Sequence, residues 1–270
     1  MKTAVFVIIL ALGVVLVALL VLGARFSRDL DRLEARLAAA PAGAARDDLP
    51  EAIGAFAMRG LAGGVPAPAI FLEQAAEMRL KKGANWQAMA ARQTIATAQP
   101  GFAWVARMRL GPVPVVRVLD AYENGEGLLE VRLFGAIRLD ASSGPEMALG
   151  EGLRYLAELP WAPDAMLVNR QISWGETDEG ITARIETAGG PAEVIFTLDA
   201  AGDIVSVLAR DRPAALADGT PAPLDWRGRF FDYVEIGGRR VPTGAEVGYD
   251  YPDGYEAYFR GRVTALTPRG

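Results

Sequence analysis

The feature that most constrains the fold is a long succession of short segments in which apolar and polar residues alternate. From Gln74 onward these segments follow one another with turns between them, as in residues 180–187 (GITARIET) and 193–199 (EVIFTLD). A period of two residues is typical of a half-buried β-strand. Strands that succeed one another without intervening helices form antiparallel sheets. The sequence therefore predicts one large antiparallel sheet.

A single helix is predicted across this sheet, over residues 144–159. Its apolar face is expected to carry leucines at helical spacing: Leu149, Leu153 and Leu156. Ser143 and Glu146 match an N-terminal capping box, and the prolines that follow are expected to end the helix. Residues 128–141, just before this helix, are predicted to form one long strand.

Residues 4–23 form a run of twenty residues without a charge. At about 1.5 Å per residue this run reaches about 30 Å as a helix, the thickness of the hydrocarbon core of a bilayer. A signal peptide has a shorter apolar region, of about 7–15 residues, and a small-x-small cleavage site, which residues 22–24 (LGA) match poorly. An uncleaved transmembrane helix is expected, and a cleaved signal is the alternative.

Together these elements predict an α+β fold: a large, curved antiparallel sheet, or half-barrel, with one covering helix and an N-terminal transmembrane helix. We expect three parts in the chain. Residues 1–24 form the transmembrane anchor, residues 25–46 form a juxtamembrane helix and linker, and residues 47–270 form the curved β-sheet domain.

The composition excludes several kinds of chemistry. The chain contains no histidine and no cysteine. This excludes Ser-His-Asp and Cys-His nucleophilic catalysis, zinc sites built from histidine or cysteine, and thiol redox chemistry. The 28 lysines and arginines are spread along a chain of net charge −5, without the basic runs that bind nucleic acid. We predict no catalytic residue, cofactor, metal site or nucleic-acid partner.

Five segments carry a family resemblance. They are QPGFAWVARM (99–108), DAYENGEGLLEVRLFG (120–135), GEGLRYLAELPWAP (150–163), FTLDAAGDIVSVLARDRP (196–213) and VPTGAEVGYDYPDGYEAYFRGRV (241–263). Together they resemble an uncharacterised bacterial family of membrane-anchored proteins with a domain of unknown function. The run Arg-Tyr-Leu-x-Glu-x-x-Trp-x-Pro is its most specific motif. The resemblance supports the domain as a unit and implies no chemistry.

A second likeness concerns the fold alone. A curved antiparallel sheet with a helix across its open side looks like the periplasmic lipoprotein carriers, which enclose acyl chains in a half-barrel. This likeness favours a periplasmic or extracytoplasmic domain. The four arginines that follow the apolar run favour the cytoplasm instead, because positive charge holds a flank on the cytoplasmic side. We expect a single-pass protein of the cell membrane with an outward-facing domain, against this arginine count.

The motif also supplies the candidate site. Glu151, Arg154 and Glu158 stand at spacings of three and four residues, which place them along one helix face. Either they form salt bridges at the surface, or they turn toward a cavity where Arg154 binds an anionic head group bidentately. We include three aromatic or acidic neighbours in this tentative ligand-binding set: Tyr155, Trp161 and Glu246. Glu246 is included because strand alternation points it inward if its face is the concave one.

Three functions are consistent with these features. The first is a membrane-anchored domain that binds an apolar or amphipathic, lipid-like ligand without catalysis. The second is a structural or protein-interaction module with a filled core. The third is a carboxylate-dependent hydrolase, although two carboxylates on one helix lie side by side rather than across a substrate. The contents of the concave face distinguish the three.

Overall fold

The computed structural model describes residues 2–110, 113–216 and 218–270, and within them thirteen strands form a single antiparallel sheet. The strands are β1 (Ala69–Met78), β2 (Gln87–Ala96), β3 (Gly101–Leu110), β4 (Val113–Glu123), β5 (Glu126–Leu133), β6 (Ile137–Ser143), β7 (Ser173–Thr177), β8 (Gly180–Thr187), β9 (Gly190–Leu198), β10 (Ile204–Ala215), β11 (Pro221–Ile236), β12 (Arg239–Tyr251) and β13 (Gly254–Arg269).

Four α-helices and one 3₁₀ turn accompany the sheet. The helices are α1 (Lys2–Leu37), α2 (Glu51–Gly60), α3 (Pro145–Ala157) and α4 (Pro163–Val168), and the 3₁₀ turn is Leu159–Trp161. Helix α3 packs against β4, β5 and β6 on one wing of the sheet and against β8, β9 and β10 on the other. It therefore crosses the concave side, and the predicted α+β fold with a curved sheet and a covering helix is confirmed.

The strand order shows how the sheet is built from two meanders. The order is β6-β5-β4-β3-β2-β1-β13-β12-β11-β10-β9-β8-β7. Each strand pairs with its neighbour in sequence except at the centre, where β1 pairs with β13, and at the two ends. Short hairpins can build each meander locally, but the central pairing joins segments nearly two hundred residues apart. This pairing places both meanders around one concave face.

Two local predictions at the start of α3 are wrong. Residues 128–141 are two strands, β5 and β6, because the chain turns at Phe134 and Gly135 with φ of 55° and 69°. A positive φ at phenylalanine is rare, so the sequence does not signal this turn. Ser143 does not cap α3, because it belongs to β6 and pairs with Leu128. The N-cap is Gly144, with a φ of 104° that favours glycine.

The prolines after α3 were predicted to end this helix, but they lie in the two helical turns that follow it. Helix α3 ends at Ala157, before either proline. Pro160 lies inside the 3₁₀ turn, and Pro163 is the first residue of α4. Proline is well suited to the first position of a helix, because the N–H that it lacks has no helical partner there. The chain therefore continues across the sheet as a broken helical segment.

A buried ion pair joins α4 to the sheet. Asp164 is fully buried, and Arg239 donates to both of its carboxylate oxygens, over 2.9 and 2.8 Å. The Ala67 backbone N–H donates to the same carboxylate over 2.8 Å. Removing one partner of such a pair leaves an uncompensated buried charge, so this contact fixes the position of α4.

The second half of α1 packs on the outer, convex face of the sheet. Four side chains of α1 form a small core with five residues of the central strands: Phe26, Leu30, Leu33 and Leu37 with Ala96, Ala103, Val105, Leu119 and Ala121. The first part of α1 is exposed, and by length and composition it can cross a membrane. The predicted division of the chain at residue 46 remains a prediction.

Candidate ligand cavity

A cavity of about 110 Å³ lies between α3 and the concave face. Its wall is mainly aromatic: Trp104, Trp161, Trp226, Phe230, Tyr258 and Phe259. For comparison, an engineered apolar cavity of ~150 Å³ binds benzene. An open groove of about 580 Å³ between α3 and β10–β11 shares Arg212 with this cavity. A second groove of about 500 Å³, beside the loop between β1 and β2, shares Tyr258 with it.

Arg154 lies in the cavity wall and its charge is matched. Its guanidinium is paired with Asp120 and donates to Glu158 over 2.8 Å. It also lies 4.9 Å from the ring centroids of both Phe102 and Trp104. Burial would lower the pKa of Arg154, but the carboxylates around it raise this pKa above its ordinary value. Since its charge is matched by carboxylates of the protein, Arg154 organises the wall.

Glu158 completes this network from the other side. One of its oxygens accepts from Arg154, and the other accepts from the side-chain amide of Gln93, which is fully buried on β2. The predicted spacing of Arg154 and Glu158 is therefore realised, but the pair is enclosed by the sheet. A salt bridge on the surface, the first of the two interpretations, does not describe it.

Glu151 is 5% exposed and faces Asp120. Burial, and then the charge of Asp120, raise the pKa of Glu151 well above its ordinary range, against the lowering effect of Arg154 and Arg212. Asp120 Oδ1 and Glu151 Oε2 are both buried without a donor among the described residues. The raised pKa favours the protonated form of Glu151, whose O–H can donate a hydrogen bond to Asp120.

Arg212, on β10, is a cation of the cavity wall that keeps unused donors among the described residues. It is 8% exposed and stacks on Trp226, with 4.5 Å from its guanidinium carbon to the ring centroid. Its Nη2 donates to the Gly150 carbonyl over 3.2 Å. Its Nε and Nη1 are buried, and within the described chain neither has a partner. Burial would lower the pKa of Arg212, but the neighbouring tyrosines and Glu151 raise it, so the group stays charged.

Tyr155 faces away from this cluster. Its hydroxyl donates to the Ala96 carbonyl over 3.3 Å and accepts from the Asn169 side chain over 2.9 Å. Its ring lies 6.4 Å from that of Tyr122. Tyr155 is fully buried and does not line the cavity, so the structure gives it a packing position between α3, α4 and the sheet.

Of the last two residues predicted for the site, Trp161 lies with the cluster around the cavity and Glu246 does not. Trp161 lines the cavity, and its indole N–H donates to the Pro242 carbonyl over 2.9 Å. Glu246 belongs to the cavity wall through β12, but it pairs across the sheet with Arg229 and Arg260 on the outer face. Its carboxylate accepts from the Tyr255 hydroxyl over 3.3 Å. The structure thus brings together Glu151, Arg154, Glu158 and Trp161 and leaves Tyr155 and Glu246 apart.

Sequence reasoning missed Asp120, Gln93 and Arg212. Each lies on a strand, on the face that turns inward, and nothing in its local sequence marks it. Arg212 follows a charged pair (Arg210, Asp211) in a segment that reads as a solvated strand end. A register shift between Ala209 and Arg212 re-aims this side chain toward the concave face, and bulges of this kind have no reliable sequence signal.

The family assignment follows from a comparison with known families. The model of the family of unknown function DUF6544 matches residues 41–261. The chain belongs to this family. The match spans the curved sheet and the motif Arg-Tyr-Leu-x-Glu-x-x-Trp-x-Pro, and it confirms the family resemblance noted in the sequence. DUF6544 carries no described activity that could be transferred to the cavity. No curated protein matches the chain.

Solved structures show a distant likeness to the DUF6544 chain. A LolA superfamily protein from Nitrosomonas europaea aligns with a TM-score of 0.41 at 9% identity, over 81% of this chain and 94% of its own. A putative outer membrane lipoprotein-sorting protein domain from Vibrio parahaemolyticus aligns with a TM-score of 0.42 at 11% identity, over 80% and 90%. A DUF1329 family protein from Desulfovibrio piger aligns with a TM-score of 0.42 at 8% identity, over 83% and 94%. The proposal below rests on the cavity itself.

Proposed function

We propose that this protein binds an amphipathic, lipid-like ligand at a membrane. The apolar part of the ligand occupies the aromatic cavity under α3, and its acidic head group binds Arg212. Because ligand pockets commonly hold about 300–1,000 Å³, a ligand of lipid size also fills one of the two grooves that share a wall residue with the cavity.

The observation that carries this proposal is a buried cation with two spare donors beside an apolar cavity. A buried donor without a partner costs about 1–3 kcal/mol. A phosphate or carboxylate oxygen of a ligand removes this cost at Nε or at Nη1 of Arg212. Arginine suits this role, because it stays charged and carries five N–H donors, of which those on Nε and Nη1 point along different edges of the guanidinium.

The other two functions fit the cavity less well. A structural module with a filled core has no use for a space of about 110 Å³ with aromatic walls or for unused donors beside it. A carboxylate-dependent hydrolase needs two carboxylates across a cleft. Here Glu158 is bound by Arg154 and Gln93, and Glu151 and Asp120 lie next to each other rather than across a cleft.

The membrane part of the proposal rests on α1. Residues 3–22 are almost entirely exposed, and the run of twenty residues without a charge is long enough to cross the hydrocarbon core. Exposing so much apolar surface to water is costly, since burial of apolar area contributes about 25 cal/mol per Å². We propose that α1 anchors the protein in the cell membrane, with the sheet domain on the outer side.

Native mass spectrometry of the protein extracted from membranes tests the ligand. The wild type is expected to carry an adduct with the mass of an acidic lipid-like molecule. Arg212→Gln replaces the guanidinium by a shorter, uncharged polar side chain, and it is expected to lose the adduct. Arg210→Gln is the matched control, because Arg210 lies two residues away, is exposed and pairs with Glu179 and Asp225 on the outer face.

Two outcomes would count against the proposal. One is a folded wild-type protein that never carries an adduct. The other is an adduct retained by Arg212→Gln as fully as by Arg210→Gln, which would separate ligand binding from the buried cation. Thermal midpoints of all three proteins show that each variant is folded.

A further inference from the structure

Helix α1 does not stop at the membrane boundary. It is one continuous helix from Lys2 to Leu37, and its last third is buried against the convex face of β2, β3 and β4. Arg36 near its end donates to both carboxylate oxygens of Glu123, over 3.0 and 2.9 Å. The position of the sheet domain along the axis of α1 is therefore fixed by packing.

The turn between β5 and β6 lies against α1 where the apolar run ends. A Cβ atom placed on Gly23 would stand 3.3 Å from the carbonyl oxygen of Phe134. Gly23 is the last residue of the run without charge. If α1 spans the bilayer, this turn lies at the level of the interface.

The side chains at this level are apolar and exposed. On the turn and on β6, Phe134, Ile137 and Leu139 are 46%, 45% and 56% exposed. Val113, at the start of β4, is exposed as well. We name these four residues the apolar corner. Large apolar side chains exposed together on one corner are typical of a surface that binds a membrane or a protein.

A row of arginines crosses the convex face beside this corner. Arg107, Arg117, Arg132 and Arg138 are successive cross-strand partners on β3, β4, β5 and β6. At about 4.8 Å between strands the row is about 14 Å long. We name it the arginine row. It touches α1 just past the apolar run, since Arg117 donates to the Ser27 hydroxyl over 2.9 Å.

Within the described part of the chain, the four arginines of the row have one carboxylate as a salt-bridge partner. Glu130 is the carboxylate that pairs with Arg132 and Arg138, over 2.8 and 3.7 Å. Burial, together with the charges of Arg107 and Arg92, lowers the pKa of Arg117, as expected where cations crowd one another. The surface of an anionic bilayer attracts arginines within about one Debye length, ~10 Å.

We propose that the apolar corner inserts into the interface of the bilayer that α1 enters, with the arginine row against the phosphates of anionic lipids. This proposal rests on the proposed anchoring by α1. The domain then sits on the membrane in one orientation. The apolar side chains then face the acyl chains and the arginines face the phosphates. This matches the way in which amphipathic surfaces bury their apolar side in the headgroup region.

The absence of cysteine allows a direct test with single labels. The full-length protein is made as Phe134→Cys, Ile137→Cys, Leu12→Cys and Val234→Cys, each labelled with an environment-sensitive fluorophore and placed in phosphatidylglycerol–phosphatidylcholine vesicles. Leu12 reports on α1. Val234 is the matched control, because it is 45% exposed, like Ile137, but lies on β11, in the other meander of the sheet. Spin-labelled lipids are expected to quench the labels at 12, 134 and 137, and to leave the label at 234 unchanged.

The outcomes separate the two proposals. If the label at 12 is quenched but the labels at 134 and 137 are no more quenched than the label at 234, the apolar corner does not insert. The proposed anchoring by α1 then still stands. A label at 12 that is not quenched would overturn the proposed anchor, and the insertion of the apolar corner with it. If the labels at 134 and 137 are shielded in detergent, and more so at higher protein concentration, a second copy of the chain covers the corner. This result would also overturn the insertion.

The charge of the row is tested separately. Arg107→Gln with Arg138→Gln, in the Phe134→Cys protein, is expected to reduce quenching at 134 several-fold in anionic vesicles and to leave it unchanged in neutral vesicles. Arg184→Gln is the control, because Arg184 is exposed on β8 and pairs with Glu186. Equal quenching in the double variant and the control would remove the arginine row from the proposal.

Discussion

Arg154 and Arg212 show how two similar side chains beside one cavity come to differ. Arg154 is surrounded by Asp120, Glu158 and two aromatic rings, and its charge is used by the protein. Arg212 stacks on Trp226 and keeps two donors without partners among the described residues. The helix position alone suggested Arg154 as the binding group. The hydrogen-bond inventory of the folded chain favours Arg212, and Arg154 becomes the group that holds the wall in place.

Glu151→Gln is predicted to change how stability depends on pH. The pKa of Glu151 is raised in the folded protein, so the folded state binds its proton more tightly than the unfolded state. Its contribution is fully present below the ordinary carboxyl range and is lost as pH rises through the raised pKa, at up to about 1.4 kcal/mol per pH unit. Glutamine cannot titrate, so the variant is expected to gain stability over the wild type as pH rises.

Thermal midpoints across the pH range measure this difference. Glu176→Gln is the control, because Glu176 is exposed on β7. The groups that face Glu151 are Asp120 on β4, Arg154 on the same helix and Arg212 on β10, and all three are unchanged in both variants. Parallel curves for wild type and Glu151→Gln would show that Glu151 is ionised in the folded protein.

Helix α3 ties the two wings of the sheet together. On one wing, Gly127 at the start of β5 lies so close to α3 that a Cβ would stand 2.6 Å from the carbonyl oxygen of Met147. On the other wing, α3 packs on β8, β9 and β10. The hairpin tips also meet, because the Ala188 N–H donates to the Gly125 carbonyl over 2.9 Å. The helix thus closes the open side of the half-barrel above the cavity.

Leu156→Ala is predicted to lower the free energy of unfolding by about 2–5 kcal/mol, because Leu156 is fully buried in the main core. Leu149→Ala removes the same atoms from a half-buried site on the same helix and is expected to lower it by clearly less. Urea unfolding monitored by circular dichroism measures both. Equal, small effects would show that α3 does not pack on the sheet as described.

The strands and the covering helix could be predicted because alternation and helical spacing are local patterns. The turn at Phe134 and the cap at Gly144 could not, since both depend on backbone angles that the side chains do not announce. The cavity was predicted only in part. Glu151, Arg154 and Glu158 share one helix, and their spacing marks them. Arg212 and Asp120 come from distant strands, and only the folded sheet brings them to the same place.

Across the whole molecule, the anchor and the sheet domain are joined by packing as well as by the chain. We predict that residues 1–23 stay attached in the mature protein. Intact mass of the membrane-extracted protein is expected to include them, and a mature N terminus near Arg25 would contradict this.

We also predict that a reporter which fluoresces only in the cytoplasm stays dark when fused after Gly270. Bright fluorescence would place the domain on the cytoplasmic side.

The docking of α1 on the sheet has a consequence for transport. A domain on a flexible linker can move far from the membrane that holds its anchor. This domain has no flexible linker directly after the apolar run, because the helix that continues from the run is packed on β2, β3 and β4. With α1 in a bilayer, the protein diffuses in two dimensions and its cavity stays at one height above the lipids. A ligand then enters and leaves the cavity only at that distance from the bilayer. Under the proposed anchoring, a ligand that is passed on to another protein is therefore passed on at this membrane.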